Sequence, residues 1–394
     1  MRCRSHICLV HDVSIDAALP ALDPLLRPSD VYLLASPDHE PQARWLESIL
    51  RPEGITVHLK LLRDPWNVAA VRDQVLTILM GRGPNDVGLN LSGAFGPVGI
   101  GAYEAFRGAQ RPMFYVHPQR NSLVWVYPEE GERTPLTGRI SLVDFLRAHG
   151  ATIQENPVDL AMPRGLRALT RELIGGVERL AKPMASLNWF AYHVDGDRCT
   201  LPLDSGYQKW GDLQGLIDRF VSFNLIERFG ERLRFPDEGA RRYVNGGWLE
   251  DHVATQVERL QTESSVIQEM ARGVEYVRLN DATAIKNELD VVLLARNRLH
   301  IIECKAKRFQ CTLNPDAPGA DALYKLDGVR QQLGGKDARV LLVSYQPLLD
   351  SHRQRAADMG IRLCVGREIH YIDELIREWL GRDEEPMPIQ ITPA

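Results

Sequence analysis

The first 150 residues alternate short apolar runs with helix-like stretches, and this rhythm narrows the possible folds more than any other feature of the chain. Apolar runs fall at 7–11, 31–35, 55–61, 87–91 and 113–117. Helical patterns lie between them at 15–26, 39–50, 68–80 and 99–108. Strands alternating with helices need crossover connections, so the sheet they build is parallel and covered on both faces. Residues 122–127 then read as one arm of a hairpin and 142–148 as a further helix.

Beyond residue 152 the pattern changes. Asn156-Pro157 and Met162-Pro163 interrupt it, and 165–180 reads as helix. Residues 212–223 form an amphipathic helix with Leu213, Leu216, Ile217, Phe220 and Val221 on one side. Two short runs, 225–229 and 232–235, flank a Gly230-Glu231 turn. A helix followed by a small hairpin has the pattern of a winged-helix-like unit, whose plainest use is as a packing connector. From residue 246 the order is helix (248–261), three strands (273–279, 288–294, 299–304), helix (323–333), strand (340–343), helix (349–359) and strand (361–364). The expected divisions are therefore 1–152, 153–245 and 246–380, with a proline-bearing tail at 381–394 that reads as loosely held. A chain of 394 residues is too long for one ordinary core, which agrees with several domains.

The net charge of −5 excludes a bulk basic field, so any grip on nucleic acid must be local. The six cysteines, Cys3, Cys8, Cys199, Cys304, Cys311 and Cys364, show no CxxC pair and no zinc-type spacing. Several lie in apolar runs, where cysteine acts as a small hydrophobe, and that suits a reducing cytosol. The apolar run at 7–10 is too short for a signal-peptide core or a membrane span, so a cytoplasmic location is expected.

The chemistry concentrates in two neighbouring runs. The first is Glu288-Leu289-Asp290-Val291-Val292-Leu293-Leu294. After a turn at Arg296-Asn297-Arg298 comes Leu299-His300-Ile301-Ile302-Glu303-Cys304-Lys305. Side chains alternate faces along a strand, so Glu303 and Lys305 share one face while Ile302 and Cys304 take the other. An antiparallel pairing brings Asp290 beside Glu303. Hard divalent cations take oxygen ligands, and two carboxylates leave coordination positions open for water and a phosphate oxygen. Lys305 can orient a water or stabilise developing charge, and Glu250, on the preceding helix, can complete the shell. A lone Glu-x-Lys on a strand is ordinarily a solvated ion pair. Here the flanking residues are apolar, and acids on such strands are costly to bury without a metal or partner. Arg296, Arg298, Lys305, Lys307 and Arg308 form a basic run fit either to track a phosphate backbone or to solvate a hairpin tip. Gln331 or Gln332 can face the site from the next helix, and Trp210 and Trp248 can stack bases, although surface and core roles respectively are simpler.

These residues resemble the PD-(D/E)xK restriction-endonuclease-like superfamily over about residues 246–375. Asp290 stands where that family has its first-strand acid, Glu303 and Lys305 match its Glu-x-Lys pair, and Glu250 its helix acid. Asn287-Glu288-Leu289-Asp290, Ile302-Glu303-Cys304-Lys305 and Tyr324-Lys325-Leu326 followed by Leu333-Gly334-Gly335 look like the branch fused to an N-terminal CARF domain. The resemblance implies an α/β protein in three parts: a Rossmann-like CARF sensor, a winged-helix-like connector and a restriction-endonuclease-like nuclease. It further implies an ancillary nuclease of type III CRISPR antiviral defence, activated by a cyclic oligoadenylate and most simply the tetra-adenylate. Mg or Mn would be held by Asp290, Glu303 and the Cys304 carbonyl, and the substrate would be DNA, RNA or both.

At the N-terminal end, Asn90-Leu91-Ser92-Gly93-Ala94-Phe95-Gly96 follows a strand and opens a helix, a place where free backbone N–H groups meet phosphate. This loop, with Ser36-Pro37-Asp38-His39 after the second strand, resembles the nucleotide-contacting loops of CARF domains. The candidate ligand contacts are thus Ser36, Asp38, His39, Asn90, Ser92, Gly93, Ala94 and Phe95. Many CARF loops continue Gly-Thr-Lys where this chain has Ala94-Phe95-Gly96, which leaves open the ring size and any degradation of the ligand by the sensor. CARF domains resemble one another in pairing, so a homodimer with the ligand across its two-fold axis is expected. Two alternatives remain: a repair or restriction endonuclease needing no ligand, and a nucleotide-binding regulator whose winged helix binds DNA while its nuclease fold is inert.

Overall fold

The computed structural model describes residues 2–11, 15–117, 120–129, 133–154, 165–278, 286–307 and 317–381, with no side chain described for 317–320 or 336. The two proline breaks near 157 and 163, Arg308, Cys311 and the tail from Asp383 lie outside these residues.

The N-terminal alternation becomes a seven-stranded sheet. Its strands are β1 (Ser5–Val10), β2 (Asp30–Ala35), β3 (Thr56–Leu61), β4 (Val87–Asn90), β5 (Met113–His117), β6 (Ser122–Tyr127) and β7 (Thr134–Pro135), in the order β3-β2-β1-β4-β5-β6-β7. The first five are parallel, and β6 and β7 add an antiparallel edge. Helices α1 (Leu19–Leu22), α2 (Glu40–Leu50), α3 (Val68–Leu79), α4 (Gly96–Gly108) and α5 (Leu142–Ala148) connect and cover it. The helix expected at 15–26 is replaced by a 3-10 turn at Ile15–Ala17 and the single turn α1. Pro20 suits the first turn of a helix but Pro24 and Pro28 cannot continue one, and the Asp23 carboxylate accepts from the Thr137 and Gly138 N–H groups instead.

The middle of the chain is helical, with a small hairpin. The helix expected at 165–180 is two, α6 (Leu166–Gly175) and α7 (Val177–Tyr192), because Gly175 and Gly176 break the run. Then come α8 (Ser205–Lys209), α9 (Gly211–Ser222), the antiparallel pair β9 (Glu227–Phe229) and β10 (Arg232–Arg234), and α10 (Glu238–Arg242). Bridges from Thr200 to Val194 and from Cys199 to Arg234 attach a third extended segment to this hairpin.

The last sheet is six-stranded, in the order β15-β14-β13-β12-β11-β8. Its members are β8 (Ala151–Ile153), β11 (Ile267–Arg278), β12 (Lys286–Ala295), β13 (Arg298–Lys305), β14 (Arg339–Ser344) and β15 (Arg362–Val365). Helices α11 (Trp248–Glu263), α12 (Ala317–Gly334), α13 (Asp350–Asp358) and α14 (Ile372–Gly381) pack on it. Neither β8 nor α14 is among the expected elements; β8, at three residues, is too short for a period to register. β8 pairs with Tyr276–Arg278 of β11, so the chain leaves the first sheet by joining the second. Leu289, Val292, Leu299 and Val340 of the second sheet bury together with Leu46, Phe145 and Ala151 from the N-terminal part in one continuous core.

The β12–β13 turn explains how the two halves lock. Arg296 and Asn297 both have positive φ (50° and 60°), as a two-residue hairpin turn with right-handed strand twist requires. Asn297 is buried, and its amide donates to Asn121 Oδ1 (3.0 Å) and the Gly138 carbonyl (2.9 Å) while accepting from the Ile140 N–H (3.0 Å). Arg298 forms a buried ion pair with Asp16 at 2.9 Å. Arg296 donates to the Leu380 carbonyl at 2.9 Å. This corrects the expectation of a basic run: at about 3.3 Å of rise per residue, Arg298 lies roughly 20 Å along β13 from Lys305. Arg296 and Arg298 anchor the turn, and of the described members of the run Lys305 and Lys307 remain near the acids.

Candidate active site and N-terminal crevice

Asp290, Glu303, Lys305 and Glu250 come together where apolar strands run out into polar positions. β12 and β13 pair Val291 with Ile302, which carries Asp290 alongside Glu303 one step further on. Ile302 and Cys304 pack in one core and Ile301 in another, so the expected alternation holds. The Cys304 N–H donates to Asp290 Oδ2 at 2.7 Å, fixing that carboxylate against the 303–304 peptide. Lys305 Nζ forms an ion pair with Glu303. Glu250 sits in the first turn of α11, where Arg242 holds its carboxylate at 2.8 Å and also reaches the buried Asp251 at 3.4 Å. Arg272 braces Asp251 at 2.9 Å.

A close backbone approach brings α11 up to β13. Gly246 has φ of 120°, and a Cβ there would lie 3.1 Å from that of Ala306, just past Lys305. Only glycine takes that conformation without strain.

The charges in this cluster oppose one another. Burial pushes the Asp290 carboxyl well above its ordinary value, and the charges of Glu303 and Glu250 push it further, against Lys305 and the Cys304 N–H. Glu250 is raised by burial and by Glu288 and Asp251, with Arg242 opposing. Burial pulls Lys305 down, but Glu303 and Asp290 outweigh it and hold the ammonium above the ordinary lysine range. Such a set fits a hard divalent cation: several carboxylate oxygens, an excess of negative charge and a fixed ammonium. Among the described residues, no three His, Cys, Asp or Glu side chains form a ready metal-ligand group. The expected shell differs in kind, being two carboxylates and a backbone carbonyl.

Of the other residues singled out from sequence, Trp248 is fully buried and packs edge-on against Tyr345 at 5.0 Å. Gln331 and Gln332 are exposed on α12. The five described cysteines are buried and free. No helix among the described residues is long and apolar enough to cross a membrane.

The second candidate site lies at the C-terminal ends of β1, β2 and β4. The strand order reverses between β1 and β4, where open parallel sheets form their crevices. The Ser36 hydroxyl meets His39 Nδ1 at 2.6 Å. His11, directly after β1, stacks 3.8 Å from Phe95 and 4.4 Å from His39, joining the two expected loops through a residue the sequence reading took only as a strand end. Asp38 and Ala94 are exposed. Asn90 is fully buried: its amide donates to the Asp16 and Ala17 carbonyls at 2.8 and 3.1 Å and accepts from the Ser92 N–H and hydroxyl. The Ser92 hydroxyl also accepts from the Val116 N–H at 2.9 Å. These two side chains shape the loop from within, leaving its backbone, Ala94, Phe95 and the start of α4 to face the crevice.

Together these are a doubly wound sheet with a switch point between β1 and β4, joined to a second, mixed sheet that bears Asp290, Glu303 and Lys305. Residues 237–382 match the family described as Card1-like, endonuclease domain, which takes in every candidate residue of the acidic cluster. Among solved structures, the chain is similar to protein VC1899 from Vibrio cholerae, at 28% identity and a TM-score of 0.83 over 96% of this chain and 98% of that one. It is also similar in fold to Can2 from Sulfobacillus thermosulfidooxidans in complex with cyclic tetra-adenylate, at 21% identity and a TM-score of 0.77 over 96% and 97% of the two chains. A type III CRISPR defence DNA nuclease activated by cyclic oligoadenylate shares 22% identity and a TM-score of 0.50, with 87% of this chain covering 45% of that one. No curated protein matches the chain.

Proposed function

We propose that this protein is a metal-dependent nuclease that hydrolyses phosphodiester bonds of DNA or RNA, works as a homodimer, and is switched on by a cyclic oligoadenylate, most simply the tetra-adenylate. The observation that carries the catalytic part is the convergence of Asp290, Glu303 and Lys305, on the central strands β12 and β13, with Glu250 at the start of α11, and with no fold-level need for so much opposed charge. Asp290, Glu303 and the Cys304 carbonyl would hold Mg or Mn, which would supply positive charge to the phosphate and lower the pKa of a water. Lys305 would donate to a phosphate oxygen or orient the attacking water, with Glu303 fixing its ammonium. Glu250, held by Arg242, would accept a hydrogen bond from that water. The sensor part rests on the crevice at the β1–β4 switch point and on the likeness in fold to a structure holding cyclic tetra-adenylate.

The test is cleavage of labelled single- and double-stranded DNA and RNA in Mn, with and without cyclic tri-, tetra- and hexa-adenylate, beside Glu303→Ala. Cleavage that needs one cyclic ligand and vanishes in the variant supports the whole reading. Cleavage without ligand removes the sensor claim, and no cleavage under any condition removes the nuclease.

Metal binding should be linked to pH. Carboxyls raised in the native state bind more protons there than when unfolded, so the metal-free protein loses stability as pH rises from about 4 through the raised values. A divalent cation needs those groups ionised and releases protons on binding. Thermal melts should therefore show a larger Mn-induced rise in Tm at pH 8 than at pH 5. An equal rise at both would contradict a cation bound at Asp290 beside Glu250.

Gly93 gives a test of the sensor. A Cβ there would lie 2.0 Å from the Leu9 carbonyl oxygen, so Gly93→Ala must displace the loop from the end of β1. Overpacking of this kind costs about 1–3 kcal/mol. Calorimetric titration with cyclic tetra-adenylate should show binding at least roughly tenfold weaker, while Glu303-dependent cleavage by any ligand-independent route is unchanged. Unaltered binding would place the ligand elsewhere.

A further inference from the structure

The C-terminal end of α7 carries aromatic rings that the core does not use. Leu187, Phe190 and Ala191 of this helix are buried, yet Trp189 is 45% exposed and Tyr192 62% exposed. His193 links them, its ring 4.4 Å from Trp189 and 5.0 Å from Tyr192. Leaving large rings in water forgoes the free energy their burial would bring, and a cluster of them marks a surface that is covered at some stage. A cleft of about 350 Å³ lined by Trp189, Phe190, Leu201, Pro202 and Tyr207 opens beside them.

This patch connects directly to the acidic site. Lys307, two residues beyond Lys305, places its ammonium over the Tyr192 ring at 4.9 Å from the centroid. Arg241 donates to the Ala191 carbonyl at 2.9 Å, tying the end of α7 to the segment that leads into α11 and Glu250. Cations therefore stand between the rings and the acids. Burial lowers the Lys307 ammonium, and Lys305 and Arg241 lower it further, with Glu250 opposing. An anion entering beside Lys307 would relieve that repulsion. Backbone phosphate and base faces are the two things a nucleic-acid strand presents together, and grooves that hold single strands pair cations with stacking rings in this way.

We propose that Tyr192 and Trp189 form the stacking surface for an unpaired base flanking the scissile phosphate, with Lys307 neutralising the adjoining phosphate. This rests on the nuclease reading above and gives the connector a role in substrate binding beyond packing. Base pairing hides the faces of a base inside the duplex stack, so the surface fits a single-stranded or splayed segment.

The experiment is fluorescence anisotropy with labelled single-stranded oligonucleotides, using full-length Glu303→Gln protein to hold the strand uncut. Tyr192→Ala and Trp189→Ala should each weaken binding about tenfold, while Tyr192→Phe, which keeps the ring, should bind like its parent. Lys307→Ala should reduce the slope of log affinity against log salt by about one. In a series of oligonucleotides with one base removed at a time around the cleavage position, one abasic position should abolish the Tyr192→Ala penalty. If the otherwise native protein cuts nucleic acid but both alanine variants bind and cut like it, the stacking surface is refuted and the nuclease stands. If the native protein cuts no nucleic acid, both readings fall together.

Discussion

Asp290→Asn is expected to abolish cleavage and to leave the protein as stable as its parent, or more so, at pH 8 without metal. The carboxylate is buried beside Glu303 and Glu250, and those charges oppose its ionisation. Asparagine removes the charge while its carbonyl oxygen can still accept the Cys304 N–H that meets Asp290 at 2.7 Å. The attraction of Asp290 for the Lys305 ammonium is lost, but Glu303 still pairs with that ammonium, and the burial and repulsion that oppose the Asp290 charge disappear. Catalysis should suffer in the opposite sense, because an amide is a poor donor to a hard cation and carries no charge to offset it. A loss of at least roughly 10³-fold in rate is expected. Opposite effects on stability and activity are the signature of residues kept for function. The checks are initial rates on a labelled strand in Mn and denaturant midpoints at pH 8. Cleavage within about tenfold of the parent would remove Asp290 from the active site, and a large loss of stability would make its role structural.

Asp16→Ala is expected to cost about 3–5 kcal/mol, because it leaves the Arg298 guanidinium buried without its principal partner. The pair is 2.9 Å apart and both side chains are almost inaccessible. Replacing both residues together, as Asp16→Leu with Arg298→Met, should recover most of that loss, since an apolar pair of similar volume need not be desolvated as ions. The pair is also placed to couple the two sheets. Asn90, which shapes the crevice loop, donates to the Asp16 and Ala17 carbonyls, and the Asp16 side chain holds Arg298 at the start of the strand ending in Glu303 and Lys305. A ligand that shifts the Asn90 loop therefore pulls on β13. The recovered double variant should bind cyclic tetra-adenylate like the parent yet show less stimulation of cleavage, by a factor of about 5 or more. Full stimulation in a stable double variant would route the coupling elsewhere.

Much of this architecture was legible in the residues. Five parallel strands of the first sheet and the hairpin of the second announced themselves through period and burial, since strands buried on both faces must be apolar throughout. Asp290, Glu303 and Lys305 stood out for the same reason: charge inside an apolar run has a cost that sequence alone displays. The loop at Asn90 was visible as small residues between a strand and a helix. The roles within that loop were not, because whether an amide faces a ligand or its own backbone depends on which chain segment passes behind it. Here that segment is Asp16-Ala17, more than 70 residues away.

Sequence thus determined most strands of the two sheets, the small β9–β10 hairpin and the Asp290, Glu303 and Lys305 patch, all of which follow from local periodicity and from neighbours in one hairpin. Tertiary structure alone decided what lies far apart in sequence. It turned Arg296 and Arg298 from a basic track into anchors, drew β8 across into the second sheet, and set His11 between Phe95 and His39. It also laid Tyr192 under Lys307. The physical reason is the same in each case. Burial and partner choice are properties of surfaces that meet only when the chain has folded, and the pattern within a single strand or helix carries no record of them.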